Sequence, residues 1–203
     1  MKSGGYSLLL LWIFLLPACG SEQHTDTALG SAKDAPAEEG NGVLRQFTLA
    51  PNQAGSVRIG MTVEELKAAL PVEMLVEKEV NREGQLYTVY EVLNDTYSQE
   101  TGLVAEPRCD PDCRIYRIEV RDRKYQTEGG LGIGSTYGEL RQAHSITFAG
   151  AEEGNLVAVS PEAGLSFLLD QSAFSGEELR NMKKGNIPDS TQVTGILLFE
   201  PSK

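Results

Sequence analysis

Two short stretches decide the architecture of this chain: GMTVEELKAA, residues Gly60–Ala69, and GSTYGELRQA, residues Gly134–Ala143. Both contain Thr-x-x-Glu, the pattern of a helix capping box, in which the Thr hydroxyl accepts from the Glu backbone N–H and the Glu carboxylate accepts from the Thr N–H. A glycine two positions before the cap allows the chain to turn sharply into the helix. Two equivalent helix starts are therefore predicted, at Gly60, Thr62 and Glu65 and at Gly134, Thr136 and Glu139.

The glycine-rich run from Gly129 to Gly134 raises the question of a phosphate-binding loop. Such a loop needs Lys-Ser/Thr after its last glycine, and a dinucleotide loop needs G-x-G-x-x-G before a long helix. Neither pattern is present, and the first stretch keeps only Gly60. The sequence therefore favours a helix start over a nucleotide site, and we expect no cofactor.

The correspondence continues to the end of each stretch. Ile115, Ile118 and Val120 align with Val193, Ile196 and Leu198, so the chain is predicted to hold two repeats, at about 55–126 and 129–201. We expect an α+β fold of two tandem helix-plus-antiparallel-sheet repeats related by pseudo-twofold symmetry. The predicted helices are 63–70, 137–144 and 176–184, the last with Gly185 as its C′ residue, and the predicted strands are 43–49, 57–59, 86–92, 114–121, 156–160, 165–169 and 192–199.

The N-terminal region predicts where the protein resides. Residues 1–18 have a charged start and an apolar run of signal-peptide length. Leu16-Pro-Ala-Cys19 resembles a bacterial lipobox, which implies cleavage before Cys19 and its lipidation; the alternative is an ordinary secretory signal with a chance cysteine. We therefore expect a bacterial envelope protein anchored by lipid, in the outer membrane since no Asp follows Cys19.

The rest of the chain divides by composition. Residues 19–42 are acidic and contain no aromatic residue, so they are predicted to form a lipidated flexible tether. The leading strand and first repeat then occupy 43–126, and the second repeat occupies 127–203. The net charge of −11 disfavours nucleic acid as a partner, because there is no basic stripe to neutralise phosphates.

Cys109 and Cys113 are expected to form a disulfide on the oxidising side of the membrane. The alternatives are a metal site that uses both thiols with Asp110 and Asp112, or a redox pair. The nearby sequence offers no His or second cysteine pair for a metal, and the spacing is C-x₃-C. We predict no metal site.

The Gly-Met-Thr-x-Glu-Glu-Leu start, followed by a few strands, resembles a repeat of small bacterial envelope lipoproteins. It is weakly similar to the SmpA/OmlA family of outer-membrane assembly lipoproteins and to the tandem repeat of the secreted β-lactamase inhibitory protein. The resemblance covers the helix starts and carries over no functional residue. The Gly-x-Pro that usually follows this helix is replaced here by Leu70-Pro71.

No catalytic set is recognisable. His144 is the one histidine of the predicted folded part, and it ends a helix, where it stabilises the helix dipole. The chain has no G-x-S-x-G or H-E-x-x-H motif. We therefore expect a non-enzyme, a lipid-anchored binding or scaffold module for a protein or another envelope component. The alternative is a small-molecule or glycan binder or hydrolase that uses carboxylates between the repeats.

Tyrosines offer the one further hint of a binding surface. Tyr is favoured at interfaces, but the same residues could simply pack on the sheet. They gather in the first predicted repeat, at Tyr87, Tyr90, Tyr97, Tyr116 and Tyr125.

Overall fold

The structure, a computed structural model, describes residues 46–199, so the predicted signal peptide, Cys19 and the tether lie outside the described residues. The described chain begins at the end of the predicted leading strand. It contains α-helices α1 (Val63–Ala69), α2 (Tyr137–Ala143) and α3 (Gly176–Asn181). Its strands are β1 (Thr48–Ala50), β2 (Gln53–Ala54), β3 (Val57–Arg58), β4 (Leu75–Arg82), β5 (Gln85–Leu93), β6 (Thr101–Cys109), β7 (Cys113–Val120), β8 (Gln126–Thr127), β9 (Phe148–Glu152), β10 (Asn155–Ser160), β11 (Leu165–Leu169) and β12 (Val193–Phe199).

Helix α1 begins with a complete capping box. The Thr62 hydroxyl accepts from the Glu65 N–H at 3.1 Å, and the Glu65 carboxylate accepts from the Thr62 N–H at 2.8 Å. Gly60, two residues earlier, has φ +86°, a conformation that glycine adopts without steric cost. The helix ends at Ala69 after two turns. The next residue, Leu70, is extended, as expected for a residue that precedes a proline, here Pro71.

Helix α2 begins in the same way. The Thr136 hydroxyl and the Glu139 carboxylate exchange the same two bonds, at 3.3 and 2.7 Å, and Gly134 has φ +96°. Each helix start is fixed to the last strand of its half of the chain. Gly60 N–H donates to the Ile115 carbonyl, and Gly134 N–H donates to the Val193 carbonyl, at 2.7 and 2.8 Å. The glycine-rich run is therefore a turn that seats a helix on a sheet.

The dominant element is an eight-stranded sheet in the order β4-β5-β6-β7-β12-β11-β10-β9. All its neighbouring strands are antiparallel. The two strands that end the halves of the chain, β7 and β12, pair at the centre, where Ile196 lies opposite Val120. A smaller sheet, β3-β2-β1-β8, joins the beginning of the described chain to the middle, since β1 and β8 pair in parallel.

The core lies on one face of the large sheet. Leu66 of α1 and Tyr137 and Leu140 of α2 are fully buried there, together with Leu49 of the small sheet. Leu179 of α3 packs against the same cluster. Among residues 46–199, all three helices and the small sheet therefore send apolar side chains to the same side of the large sheet.

The predicted α+β class is wrong. The described chain is mostly β, with twelve strands in two sheets and only three helices, of seven, seven and six residues. The strands do not form one sheet per helix either, since one sheet runs through both halves. Capping boxes are strong local signals, whereas the strands β4 (LVEKEVNR), β6 (TGLVAEPRC) and β9 (FAGAE) were not predicted because they show no clear alternation of apolar and polar residues.

The third helix is also shorter than predicted. It starts at Gly176 behind the expected Ser175–Glu178 capping box but ends at Asn181, with Met182 as an extended C-cap. Gly185 is not among the glycines with positive φ, so its predicted role as a left-handed C′ residue is wrong. The chain leaves the helix early because Lys183 bridges to Gly150 on the edge strand β9.

Candidate functional site

The face of the large sheet opposite the core carries polar and apolar side chains in separate areas. We call it the open face. Along β7, Ile118 and Val120 point into the core, so Arg117 and Glu119 point to the open face. Along β12, Leu197 and Phe199 lie opposite Glu119 and Arg117 and also point to the open face. The open face thus presents most of its charges on its β4–β7 half, where Val89 and Val104 lie among them, and mainly apolar groups on its β9–β12 half.

A β-bulge shapes the charged half. Register between β6 and β7 shifts from Glu106 opposite Arg117 to Pro107 opposite Ile115, which leaves Tyr116 as an extra residue. Since Ile115 and Ile118 both lie in the core, the Tyr116 and Arg117 side chains both project to the open face. Bulges re-aim side chains in this way and are frequent next to functional sites.

Glu106 is the centre of an ion network at this bulge. Its side chain is only 4% exposed, and both its oxygens accept from the Arg82 guanidinium at 2.7 Å. The Tyr116 hydroxyl donates to Oε2 at 3.3 Å, and Arg117 Nε lies 3.9 Å from Oε1. A two-point guanidinium–carboxylate pair is among the strongest and most directional polar contacts in proteins.

The network keeps Glu106 ionised. Burial by itself would raise the pKa of this carboxyl, but the Arg82 hydrogen bonds and the charges of Arg117 and Arg82 outweigh burial, and the pKa lies below its ordinary value. The same contacts raise the pKa of Arg82. The neighbouring guanidinium groups therefore hold Glu106 as a carboxylate anion.

Two guanidinium groups remain available at the network. Arg82 and Glu106 neutralise each other, whereas Arg117 makes only the longer contact with Glu106. Arg108 lies over the Tyr116 ring, 4.2 Å from its centroid, and is exposed. Within residues 46–199, neither the Arg108 nor the Arg117 guanidinium donates a hydrogen bond, so both can meet a partner.

The other half of the sheet repeats the bulge without the charges. Register between β11 and β12 shifts from Leu168 opposite Gly195 to Leu169 opposite Val193, which leaves Thr194 as the extra residue. Leu168, Thr194 and Gly195 therefore occupy the positions of Glu106, Tyr116 and Arg117. The same bulge therefore forms with apolar and small residues at the positions that carry the ion network in the other half.

Apolar side chains continue the open face beyond β12. Phe199 and Phe148 are 40% and 44% exposed, and Val159, Leu168 and Leu197 are half-buried. Leu197 lies directly opposite Glu119, and Phe199 lies opposite Arg117. The charged and apolar areas thus meet along the β7–β12 seam, as in the mixed polar and apolar composition of protein interfaces.

A cavity of about 420 Å³ lies elsewhere, between the small sheet, the end of α2 and the β10–β11 turn. His144 and Glu162 line it together with apolar side chains such as Leu49, Leu131 and Leu165. The Glu162 carboxylate accepts from the Ser145 N–H at 2.8 Å, and the His144 ring stacks on Phe167 with centroids 6.0 Å apart. Its volume falls in the range of small-molecule sites.

Apart from Tyr116, the residues singled out from the sequence are not part of the open-face network. The capping residues hold α1 and α2 on the core side and have a structural role. Cys109 and Cys113 are joined by a disulfide at the tip of the β6–β7 hairpin, next to Arg108. Cys19 lies outside the described residues. Of the five tyrosines, Tyr90 and Tyr125 are buried, Tyr87 and Tyr97 are exposed, and Tyr116 belongs to the open face.

Sequence reasoning missed the network itself. The sequence alone does not distinguish its charged residues from those of an ordinary solvent-exposed strand face. These residues are Arg82, Glu106, Arg108 and Arg117. One signal was available: Tyr116 and Arg117 break the alternation between Ile115 and Ile118, which predicts a bulge. In residues 46–199 no three His, Cys, Asp or Glu side chains group as metal ligands. No helix of this region has the length and apolar character to cross a bilayer.

Comparisons with known proteins support the fold alone. No protein-family model matches the sequence, and no curated protein matches it. Among solved structures, the crystal structure of the uncharacterized protein yfeY from Escherichia coli is similar to this one, with a TM-score of 0.52 and 16% sequence identity. The match covers 76% of this chain and 99% of the yfeY chain.

Proposed function

We propose that this protein is a lipid-anchored lipoprotein of the bacterial envelope that binds a protein partner, without catalysis, through the open face. The observation that carries the proposal is the Glu106 network. A buried ion pair contributes little to stability compared with apolar residues of similar volume, and the other half of this sheet has Leu168 and Gly195 at the equivalent positions. The network is therefore better explained by recognition than by folding.

The composition of the open face supports the same proposal. Arg and Tyr are the residues that most often dominate binding energy at protein interfaces, and the network contains both types, bordered by Leu197 and Phe199. The surface is an extended sheet face and not a closed pocket, which suits a macromolecule. The Leu16–Cys19 sequence supplies the anchor in this proposal, with residues 20–42 as a spacer from the membrane.

The test is site-specific photo-crosslinking in intact cells that produce the full chain. A benzophenone amino acid replaces Phe148 or Phe199 on the open face, or Ala68 on the exposed side of α1 as the matched control. We expect a discrete protein adduct from the two open-face positions and none from Ala68. Cys19→Ala should reduce the adduct by removing the anchor. Equal adducts from all three positions, or none from the open face, would contradict the proposal.

A small-molecule binder is the second candidate function, favoured by the cavity that His144 and Glu162 line. Native mass spectrometry of the protein purified from its own envelope tests it. A bound small molecule that is lost on Ala163→Trp, which fills the cavity, would move this function ahead. A ligand-free protein in gentle ionisation conditions would remove it.

A further inference from the structure

The β4–β7 half of the open face has a local charge opposite in sign to the net charge of the whole chain. The chain has a net charge of −11, yet the open face of β4–β7 has an excess of cations. Its cations are Lys78, Arg82, Arg108, Arg117 and Arg121, together with Arg114, which lies opposite Arg108 and pairs with Asp112 at 3.8 Å; its other anions are Glu91, Glu106 and Glu119. Since the rest of the surface is acidic, this local excess marks the place where an anionic partner group can approach.

Ion pairs within the open face show which residues carry the excess positive charge. Lys78 and Glu91 pair at 2.6 Å, Arg121 and Glu119 pair at 3.0 Å, and Arg82 is fully engaged by Glu106. The uncompensated charges are therefore Arg108 and Arg117, one on each side of the half-buried Tyr116. The Arg117 Nε is buried and has no hydrogen-bond partner within residues 46–199, whereas the side chain as a whole is 35% exposed, so its outer nitrogens can reach a ligand.

The surroundings of Arg117 narrow the class of partner. The carboxylates of Glu91 and Glu119 lie among the cations of this face. A uniformly anionic surface, such as a layer of lipid headgroups, would therefore be repelled by these two carboxylates. The Arg117 side chain also lies across from Phe199, next to Leu197. A carboxylate beside an apolar side chain fits this arrangement, and a polypeptide supplies both on neighbouring residues.

We propose that the open face binds a segment of a partner protein that carries acidic and apolar side chains close together in sequence, with carboxylates received by Arg108 and Arg117 and an apolar side chain against Leu197 and Phe199. This inference rests on the proposed function and specifies the chemistry of its partner.

The test uses the full mature chain with Cys19→Ala and fluorescein-labelled hexapeptides. The probe is Glu-Leu-Glu-Leu-Glu-Leu, and its matched control replaces each Glu by Gln. Fluorescence anisotropy should show the acidic peptide binding at least about tenfold more tightly, the effect of charge-assisted hydrogen bonds. Its affinity should fall by about tenfold in Arg117→Gln and in Arg108→Gln, and be unchanged in Arg180→Gln, which removes an exposed cation from α3.

The salt dependence and the following outcomes decide between the inference and its alternatives. Binding should weaken as salt rises from about 0.05 to about 0.5 M, because the pairs are partly exposed. The inference would be overturned if the acidic peptide bound no better than its Gln control. It would also be overturned if the acidic peptide bound Arg108→Gln as tightly as the wild type; Arg108 is exposed, so its replacement is not expected to disturb folding. Vesicles of phosphatidylglycerol binding at the same two arginines, with no peptide binding, would also overturn it. A crosslinked partner at Phe148 or Phe199 without acidic-peptide binding would leave the proposed function standing and this inference refuted.

Discussion

Arg82 and Glu106 form a two-point ion pair across the charged half of the open face, with both nitrogen–oxygen distances at 2.7 Å. The two residues are 24 positions apart in sequence and lie on β4 and β6, with β5 between them. The two ends of the pair differ in environment: the Glu106 side chain is 4% exposed and that of Arg82 is 43% exposed. This asymmetry determines how the pair responds to mutation and to pH.

Removing the arginine should cost more stability than removing the glutamate. Arg82→Ala leaves a buried carboxylate without its main partner, and we expect a loss of about 3 kcal/mol in the free energy of unfolding. Glu106→Ala should cost less, because the Arg82 side chain can return to water. Urea unfolding of both variants measures the difference, and equal losses would contradict the burial asymmetry.

An apolar replacement of the whole pair should restore stability. The double variant Arg82→Met/Glu106→Leu imitates Leu168 of the other half, so we expect it to be more stable than Arg82→Ala by at least about 1 kcal/mol. The same variant should lose the crosslinks and the acidic-peptide binding described above. A double variant as unstable as Arg82→Ala would show that the network is needed for folding.

The contribution of Glu106 to stability should depend on pH. Its folded pKa is depressed, so its ionised form stabilises the fold fully above the unfolded pKa of about 4.3, and that contribution is lost as pH falls through the folded pKa. Unfolding free energies of the wild type and Glu106→Gln, measured from pH 7 to about 2.5, should converge as the pH falls below about 4. A Glu106→Gln difference that grew on acidification would contradict the sign.

The two capping threonines should contribute equally. Thr62→Ala and Thr136→Ala each remove the acceptor of the third helical N–H, at a cost of about 1 kcal/mol. Ser56→Ala, in an exposed turn, is the control and should be neutral. Thermal unfolding midpoints measure these effects, and a neutral Thr62→Ala or Thr136→Ala would show that water replaces the cap.

Glycines with positive φ should be sensitive to a single methyl group. Gly60→Ala and Gly134→Ala meet no atom within 4 Å, so their cost comes from the left-handed backbone and should be about 1–2 kcal/mol. Gly185→Ala is the control, because its surroundings are equally open and its φ is not positive. Differential scanning calorimetry compares the three variants; a Gly185→Ala loss as large as the other two would refute the explanation.

Short-range features were accessible from the sequence. The capping boxes at Thr62 and Thr136 and the turn glycines Gly60 and Gly134 depend on residues at most a few positions apart, and the local backbone satisfies them. The disulfide between Cys109 and Cys113 was accessible for the same reason. The ends of the helices were harder to predict. Helix α3 ends at Asn181 because the residues that follow it contact β9.

The mostly β architecture was decided only in three dimensions. The sequence specified where helices begin and which strand faces are apolar, since these follow from capping chemistry and side-chain period. It did not specify that β7 and β12 pair to make one sheet, nor that Arg82, Glu106 and Arg117 meet on its open face. The β7–β12 pair joins distant parts of the chain, and Arg82, Glu106 and Arg117 meet only because β4 to β7 form consecutive antiparallel pairs with a bulge at Tyr116.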